Sequence, residues 1–451
     1  MCCASITLPL AVVTAAVCLP LVAGCRGGGS SPTSTPAATS DAATIAPVSS
    51  PTGASTIASG MGDPPDVTDA EMQADVRAAT AFAIKVYARA KPASGNFMLS
   101  GTSLRRALSA AYFGARGETA SEMARTLEVT TDMEKAAEAA KTESSAWQRA
   151  RGTEPTSAEL VIADRLWPDK SFVLESAYAK RVEDTLGASV APLDFVHASE
   201  EARTTVNGWV AEKTADKIKD LLPSGSVNAA TRLVITNAIY FKGKWALPFS
   251  KNATKDEAFT SAPGKTITTP MMHATESHRF ADASGAKALE MRYGGGDLAM
   301  LVLLPNDDNG IGKLEDDVAK NGIEGWVKNL ALARVNITLP KFTFESGGSM
   351  TNVLKALGMK GAFTPNADFS GIAKPRGTER IYVSEVVQKT WVAVDEEGTE
   401  AAAATGITMR TTSMPMGPVA EFKATHPFLF FIRDTKTGRT LFMGRLMGPK
   451  G

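Results

Sequence analysis

Four histidines, His197, His273, His278 and His426, are the side chains best suited to move protons near neutral pH. Their spacing gives them no partner for that work. None stands in a His-x-x-x-His or His-Glu-x-x-His pattern, which would place two ligands on one helix face, so no metal is expected. Neither a Gly-x-Ser-x-Gly elbow nor a Gly-x-x-x-x-Gly-Lys-Ser/Thr loop occurs, and Gly294-Gly295-Gly296 reads as a turn. The remaining cluster is Asp395-Glu396-Glu397. A general acid and base need different environments to split their pKa values, and these three carboxylates, set between an apolar run and an alanine run, read as an exposed acidic turn. With no nucleophile and base together, the chain is not expected to be an enzyme or to need a cofactor.

The residues after that turn carry more information. As a strand, Thr399, Ala401, Ala403, Thr405, Ile407 and Met409 face one way, while Glu400, Ala402, Ala404, Gly406, Thr408 and Arg410 face the other. The first set has no charge; the second holds Glu400 and Arg410. The segment therefore has the pattern of a strand with one buried face. Apart from Glu400, its leading residues from Thr399 to Thr405 are small.

The elements around it separate by type. Met72, Val76, Ala79, Phe82, Ala83 and Val86 recur at helical steps after Thr68-Asp69. Further helices are predicted at Ser103–Phe113, from Thr119 with the capping pair Thr119 and Glu122, and at Asp132–Arg149, Ser176–Leu186 and Glu200–Thr214. Strands are predicted at Leu160–Trp167, Arg232–Phe241, Ala299–Leu304, Arg334–Leu339, Trp391–Val394, Phe428–Ile432 and Leu441–Leu446. Helices early and strands late, without regular alternation, predict an α+β fold in one domain, residues 67–451.

Lys plus Arg and Asp plus Glu each number 48, and no basic run is interleaved with aromatics, so nucleic acid is not an expected partner. No polybasic helix suggests a polyanionic activator. All four cysteines, Cys2, Cys3, Cys18 and Cys25, precede the folded region, which must stand without disulfides. Residues 1–24 include an apolar stretch, Ile6–Ala23, broken by Pro9 and Pro20, and end before Cys25. Leu21-Val22-Ala23-Gly24-Cys25 resembles a bacterial lipobox, which implies a cleaved signal peptide, a lipid on Cys25 and a membrane-anchored protein facing periplasm or cell exterior. Met1 to Thr7 lacks the Lys or Arg such a signal normally carries. Residues 25–66, rich in Gly, Ser, Thr, Pro and Ala, read as a flexible spacer.

Glu396-Glu397-Gly398-Thr399-Glu400-Ala401-Ala402-Ala403-Ala404-Thr405 resembles, position for position, the hinge of inhibitory serpins. From about Asp69 to Pro449 other fragments resemble the family in order: Asn96 to Leu104, Asn237 to Trp245, Pro270-Met271-Met272, Leu339-Pro340-Lys341-Phe342, Ala367 to Gly371, Pro427 to Phe430 and Leu441 to Arg445. Gly101 stands where the family usually has Pro, and Gln388 where many members have a shutter His. The resemblance implies helices packed around three β-sheets with a mobile reactive loop, in a monomer. It implies a suicide-substrate inhibitor that traps a serine protease, or a cysteine protease, covalently as the cleaved loop enters the central sheet. It gives Ser100, Ser103, Asn237 and Gln388 the shutter, and Trp245 the breach beneath the loop. Counting from Glu396 places the reactive bond at Thr412-Ser413; counting back from Pro427 places it at Met416-Gly417, and Met414 is a further candidate. A serpin fold that binds partners without inhibiting proteases is the alternative.

Overall fold

The apolar runs form strands bounded by their flanking turn residues, and polar alternating segments add others that hydrophobicity alone does not reveal. The computed structural model describes residues 69–129, 158–295, 297–399 and 418–449, with isolated positions between 131 and 142. In chain order the strands are β1 (Phe97–Leu99), β2 (Glu159–Pro168), β3 (Ser189–Val190), β4 (Leu233–Lys244), β5 (Lys255–Ala262), β6 (Lys265–Ala283), β7 (Ala286–Arg292), β8 (Leu298–Pro305), β9 (Ala331–Pro340), β10 (Phe342–Ser349), β11 (Glu385–Val394), β12 (Gly398–Thr399), β13 (Ala420–Lys423), β14 (Phe428–Asp434) and β15 (Thr440–Leu446). Helices α1 (Asp69–Ala90), α2 (Gly101–Tyr112) and α3 (Gly117–Thr126) lie ahead of β2, and others span Ser176–Leu186, Phe195–Lys213, Ile311–Asn321, Glu324–Asn329 and Thr351–Ala356.

Two hydrogen-bonded networks result. A six-stranded sheet runs β10-β11-β12-β4-β2-β3, with β11 also pairing directly with β4. A nine-stranded path runs β1-β15-β14-β8-β7-β6-β9-β13, with β5 on β6. The second and third sheets implied by the resemblance are continuous here because β6 serves both: Lys265–Met271 pairs with β5 and Arg279–Ala283 with β7.

Strand β4 has no solvent face. Val234 and Ala238 pack toward the helix Phe195–Lys213, together with Trp167, Val206 and Val210. Its other face reads Leu233, Ile235, Asn237, Ile239 and Phe241. Leu233 and Ile235 join the core beneath α1 and α2, while Ile239 and Phe241 join the core shared with β8, β14 and β15. Burial on both faces explains the continuous apolar run. The single polar residue of that inner row, Asn237, stands where the two inner cores meet.

Local signals set the helix ends, with one correction. The capping pair expected to start α3 is internal to it: the helix begins at Gly117 after Arg116. Thr119 Oγ1 instead accepts from Asp368 N–H, and Glu122 accepts from the N–H groups of Lys360 and Gly361. The helix expected from Glu200 runs on to Lys213; ahead of it Asp194 accepts from His197 N–H at 2.9 Å and starts a turn at Phe195 that breaks at Ala198, whose φ of −141° and ψ of 46° are not helical. Gly101 opens α2 at a close approach to α1: a Cβ there would lie 2.2 Å from the Ala83 Cβ, which excludes any side chain.

Candidate functional site

The central sheet forks. From Glu385↔Val234 to Trp391↔Tyr240, β11 and β4 are parallel partners, and beyond that pair they separate. The gap is filled by the chain folding back on itself: Val394 pairs with Thr399, Thr399 with Gly243, and Gly398 with Lys244, so β12 is antiparallel to both neighbours.

The reversal is local chemistry. Asp395 Oδ1 accepts from the N–H groups of Glu397 and Gly398 at 2.9 and 3.2 Å, and Asp395 N–H donates to the Gly398 carbonyl at 2.8 Å, closing a turn. Gly398, at φ +155°, is required here, because a Cβ would lie 2.0 Å from the Gly243 carbonyl oxygen. Thr399 is fully buried, and its Oγ1 shares a 2.8 Å hydrogen bond with Tyr293 Oη. Trp245 stacks on Tyr293 at 4.7 Å, donates its indole N–H to the Asp395 carbonyl at 3.0 Å, and donates its backbone N–H to the Glu397 carbonyl at 2.8 Å.

The acidic turn is not exposed as its composition suggests. Glu396 is 5% exposed, held by Lys341 Nζ at 2.7 Å and Thr254 Oγ1 at 2.8 Å. Burial pushes its carboxyl pKa up, but the Lys341 ammonium and the Thr254 hydroxyl outweigh it and hold the group below its ordinary value. Burial raises Asp395, partly offset by its two backbone donors. Glu397 reaches Lys251 at 2.5 Å on the outside.

Farther down, where β4 and β11 still touch, a buried polar clasp joins them. Gln388 Nε2 donates to Asn237 Oδ1 across the two strands and to the Ser100 carbonyl at 2.8 Å, while Gln388 Oε1 accepts from Ser100 N–H at 3.2 Å. Asn237 Nδ2 donates to Ser103 Oγ at 2.6 Å and to Asp164 Oδ1. Ser100 Oγ caps α2 by accepting from Ser103 N–H and donates to the Leu441 carbonyl at 2.6 Å. Thus Ser100, Ser103, Asn237 and Gln388, far apart in sequence, form one network. Glutamine fills the place of the family's histidine because its amide donates and accepts at once. On the opposite face Tyr240 meets Trp391 edge-on at 5.9 Å, with Lys217 Nζ 4.7 Å over the Trp391 ring.

Sequence reasoning missed several members: Tyr293, Thr254 and Asp164, and the ion-pair role of Lys341. Asp164 offered a signal, being an acid at an inward position of β2 between Ile162 and Leu166. Its burial drives the carboxyl pKa up to about 6, against the opposing pull of Arg106 and the Asn237 amide. The histidines do not gather: His273 bonds Thr338, His426 bonds the Pro305 carbonyl, His197 sits at the Asp194 cap, and His278 is buried. No group of three or more His, Cys, Asp or Glu suited to hold a metal occurs among the described residues. Glu400, Ala401, Ala402, Ala403, Ala404, Thr405, Thr412, Ser413, Met414, Met416 and Cys25 lie outside the described residues, as does most of the helix expected at Asp132–Arg149.

Comparison with known proteins agrees with this geometry. The family model described as Serpin (serine protease inhibitor) matches residues 77–449. An uncharacterized serpin-like protein of Thermococcus kodakarensis is 36% identical over 384 residues, covering 83% of this chain and 86% of that protein. The human leukocyte elastase inhibitor is 36% identical over 366 residues, covering 79% and 94%. The crystal structure of Serpin48, a highly specific serpin of the insect Tenebrio molitor, superposes with a TM-score of 0.74 at 31% identity, covering 85% of this chain and all of that one.

Proposed function

This chain belongs to the serpin family, and we propose that it inhibits a serine endopeptidase as a suicide substrate, its cleaved loop entering the central sheet between β4 and β11. The observation that carries the proposal is the fork, where Gly398 and Thr399 already lie between those strands while the chain below remains directly paired. Because β4 and β11 are parallel, a strand that doubles back from β11 is antiparallel to both. Insertion therefore exchanges one slanted parallel ladder for two antiparallel ladders, which are the more stable pairing. Thr399 through Thr411 would extend roughly 40 Å at about 3.3 Å per residue, carrying an acylated protease along the molecule before water releases it. The protease supplies the serine, or in a second partner class the cysteine; this chain supplies bait and a sheet that gains by opening. The resemblance favours cleavage at Thr412-Ser413, since a later cut leaves slack in the inserted strand.

We propose further that residues 1–24 are removed, that Cys25 carries the lipid of an exported membrane-anchored protein, and that residues 25–66 hold the domain clear of the surface. Loss of membrane partition in Cys25→Ser checks that arrangement; unchanged partition refutes it. For inhibition, the purified domain is incubated with a panel of serine proteases. A complex that survives denaturation, with a C-terminal fragment beginning at Ser413, is the expected result. If no protease forms such a complex, and melting temperatures are equal before and after loop cleavage, the protein is a binding member of the family.

A further inference from the structure

Asp164 is 6% exposed on the inner face of β2, and its two oxygens differ in what they meet. Oδ1 accepts from Asn237 Nδ2; Oδ2 accepts no hydrogen bond and lies 3.8 Å from Arg106 Nη1. Arg106 donates to the Leu186 carbonyl, so its guanidinium is turned partly toward the end of helix Ser176–Leu186. The groups that face Asp164 can be named element by element. Helix α2 presents Ser103 and the cation of Arg106, β4 presents the uncharged Asn237, and β11 presents uncharged Gln388 behind it. Arg106 is the one charged group that acts on it. An ionised carboxylate here relies on one ion pair at 3.8 Å and has no hydrogen bond on Oδ2, so its desolvation is only partly offset in the closed state.

We propose that Asp164 is a proton-dependent positioning residue of the clasp: ionised, it strains the closed sheet through Asn237, and opening between β4 and β11 relieves that strain. Separation of the strands frees Asn237 from Gln388 and admits new donors beside the clasp. The proposal rests on the reading that the sheet opens at this fork. Acidification protonates Asp164, relaxes the closed form and makes it less ready to open. The sign follows from linkage. With the folded pKa near 6 and the ordinary value 3.8, the folded protein holds the extra proton between them. The stability contribution is therefore full below the ordinary value and is lost as pH rises through about 6.

The test uses the full chain with its loop intact. Denaturant unfolding is measured for wild type and Asp164→Asn at pH 7.5 and pH 5.0. The wild type's folded-to-unfolded ratio should rise roughly tenfold more than the variant's on acidification, and the variant should be the more stable at pH 7.5. The same pH dependence in both proteins overturns the proposal. Wild type is also compared before and after loop cleavage, which decides the matter even if the variant fails to fold. A pH-linked change confined to the intact form supports relief on opening; the same change in both forms refutes it. Absence of any stabilisation on cleavage would count against strand insertion itself, a result separate from the intact-protein comparison.

Discussion

The two ends of the β4 and β11 interface solve the same problem differently. At the clasp the strands are bonded directly, and the buried side chains of Gln388, Asn237 and Ser103 are tied to one another and to the Ser100 backbone. At the fork the strands have already parted, and the hinge satisfies their backbone groups itself, anchored by Trp245, Tyr293 and Lys341. Under the proposed insertion, resistance to opening would reside at the clasp. Backbone groups released by one strand can be paired again by the next as it arrives. A side-chain network cannot be handed over: opening must break it before the incoming strand offers replacements.

The sharpest way to break the comparison is Thr399→Arg. Thr399 is fully buried against Tyr293, so a cation there has no partner and expels β12 from the fork. Cleavage by a target protease should continue while denaturant-resistant complex falls by roughly tenfold or more; wild-type yield would show that β12 plays no part in insertion. Gln388→Leu attacks the clasp instead, leaving Asn237 Oδ1 and the Ser100 N–H without their partner, while the Ser100 carbonyl keeps only Leu104 N–H. The intact protein should lose about 1–3 kcal/mol in urea unfolding, and the cleaved form less, since the proposed insertion would part the clasp there. Lys341→Ala tests the fork without touching the hinge. Glu396 remains buried, but the lysine side chain is 37% exposed, so a loss of about 1–2 kcal/mol is expected, below the value for a fully buried pair. Lys341→Ala combined with Glu396→Gln should recover part of it. Arg125→Ala, which breaks an ion pair with Glu118 on the open surface, should change stability by less than about 0.5 kcal/mol and serves as the control.

Much of the central sheet could be read from residue order. Leu233–Phe241 is apolar at every position but Thr236 and Asn237, and such a run is what a strand covered on both faces requires. Strands β5, β6 and β10 went unread because their exposed positions carry Lys, Thr, Ser and Glu, and in β10 the alternation of Phe342 and Phe344 dissolves into Gly347 and Gly348. The capping pair in α3 misled because Thr119 and Glu122 serve a distant loop rather than their own helix.

Residue order alone set which face Thr399 shows, that small residues lead the hinge, and that Arg232–Phe241 reads as a strand. Those are properties of spacing, and spacing is local. Packing alone set the rest: Glu396 is buried on Lys341, Tyr293 receives Thr399, and Asp164 stands behind Asn237 with one oxygen held by an ion pair and no hydrogen bond. Periodicity tells which way a side chain points. The group that waits opposite is set by packing among elements that lie 55 to 151 residues apart in these contacts, and with it the charge and burial that decide each group's chemistry.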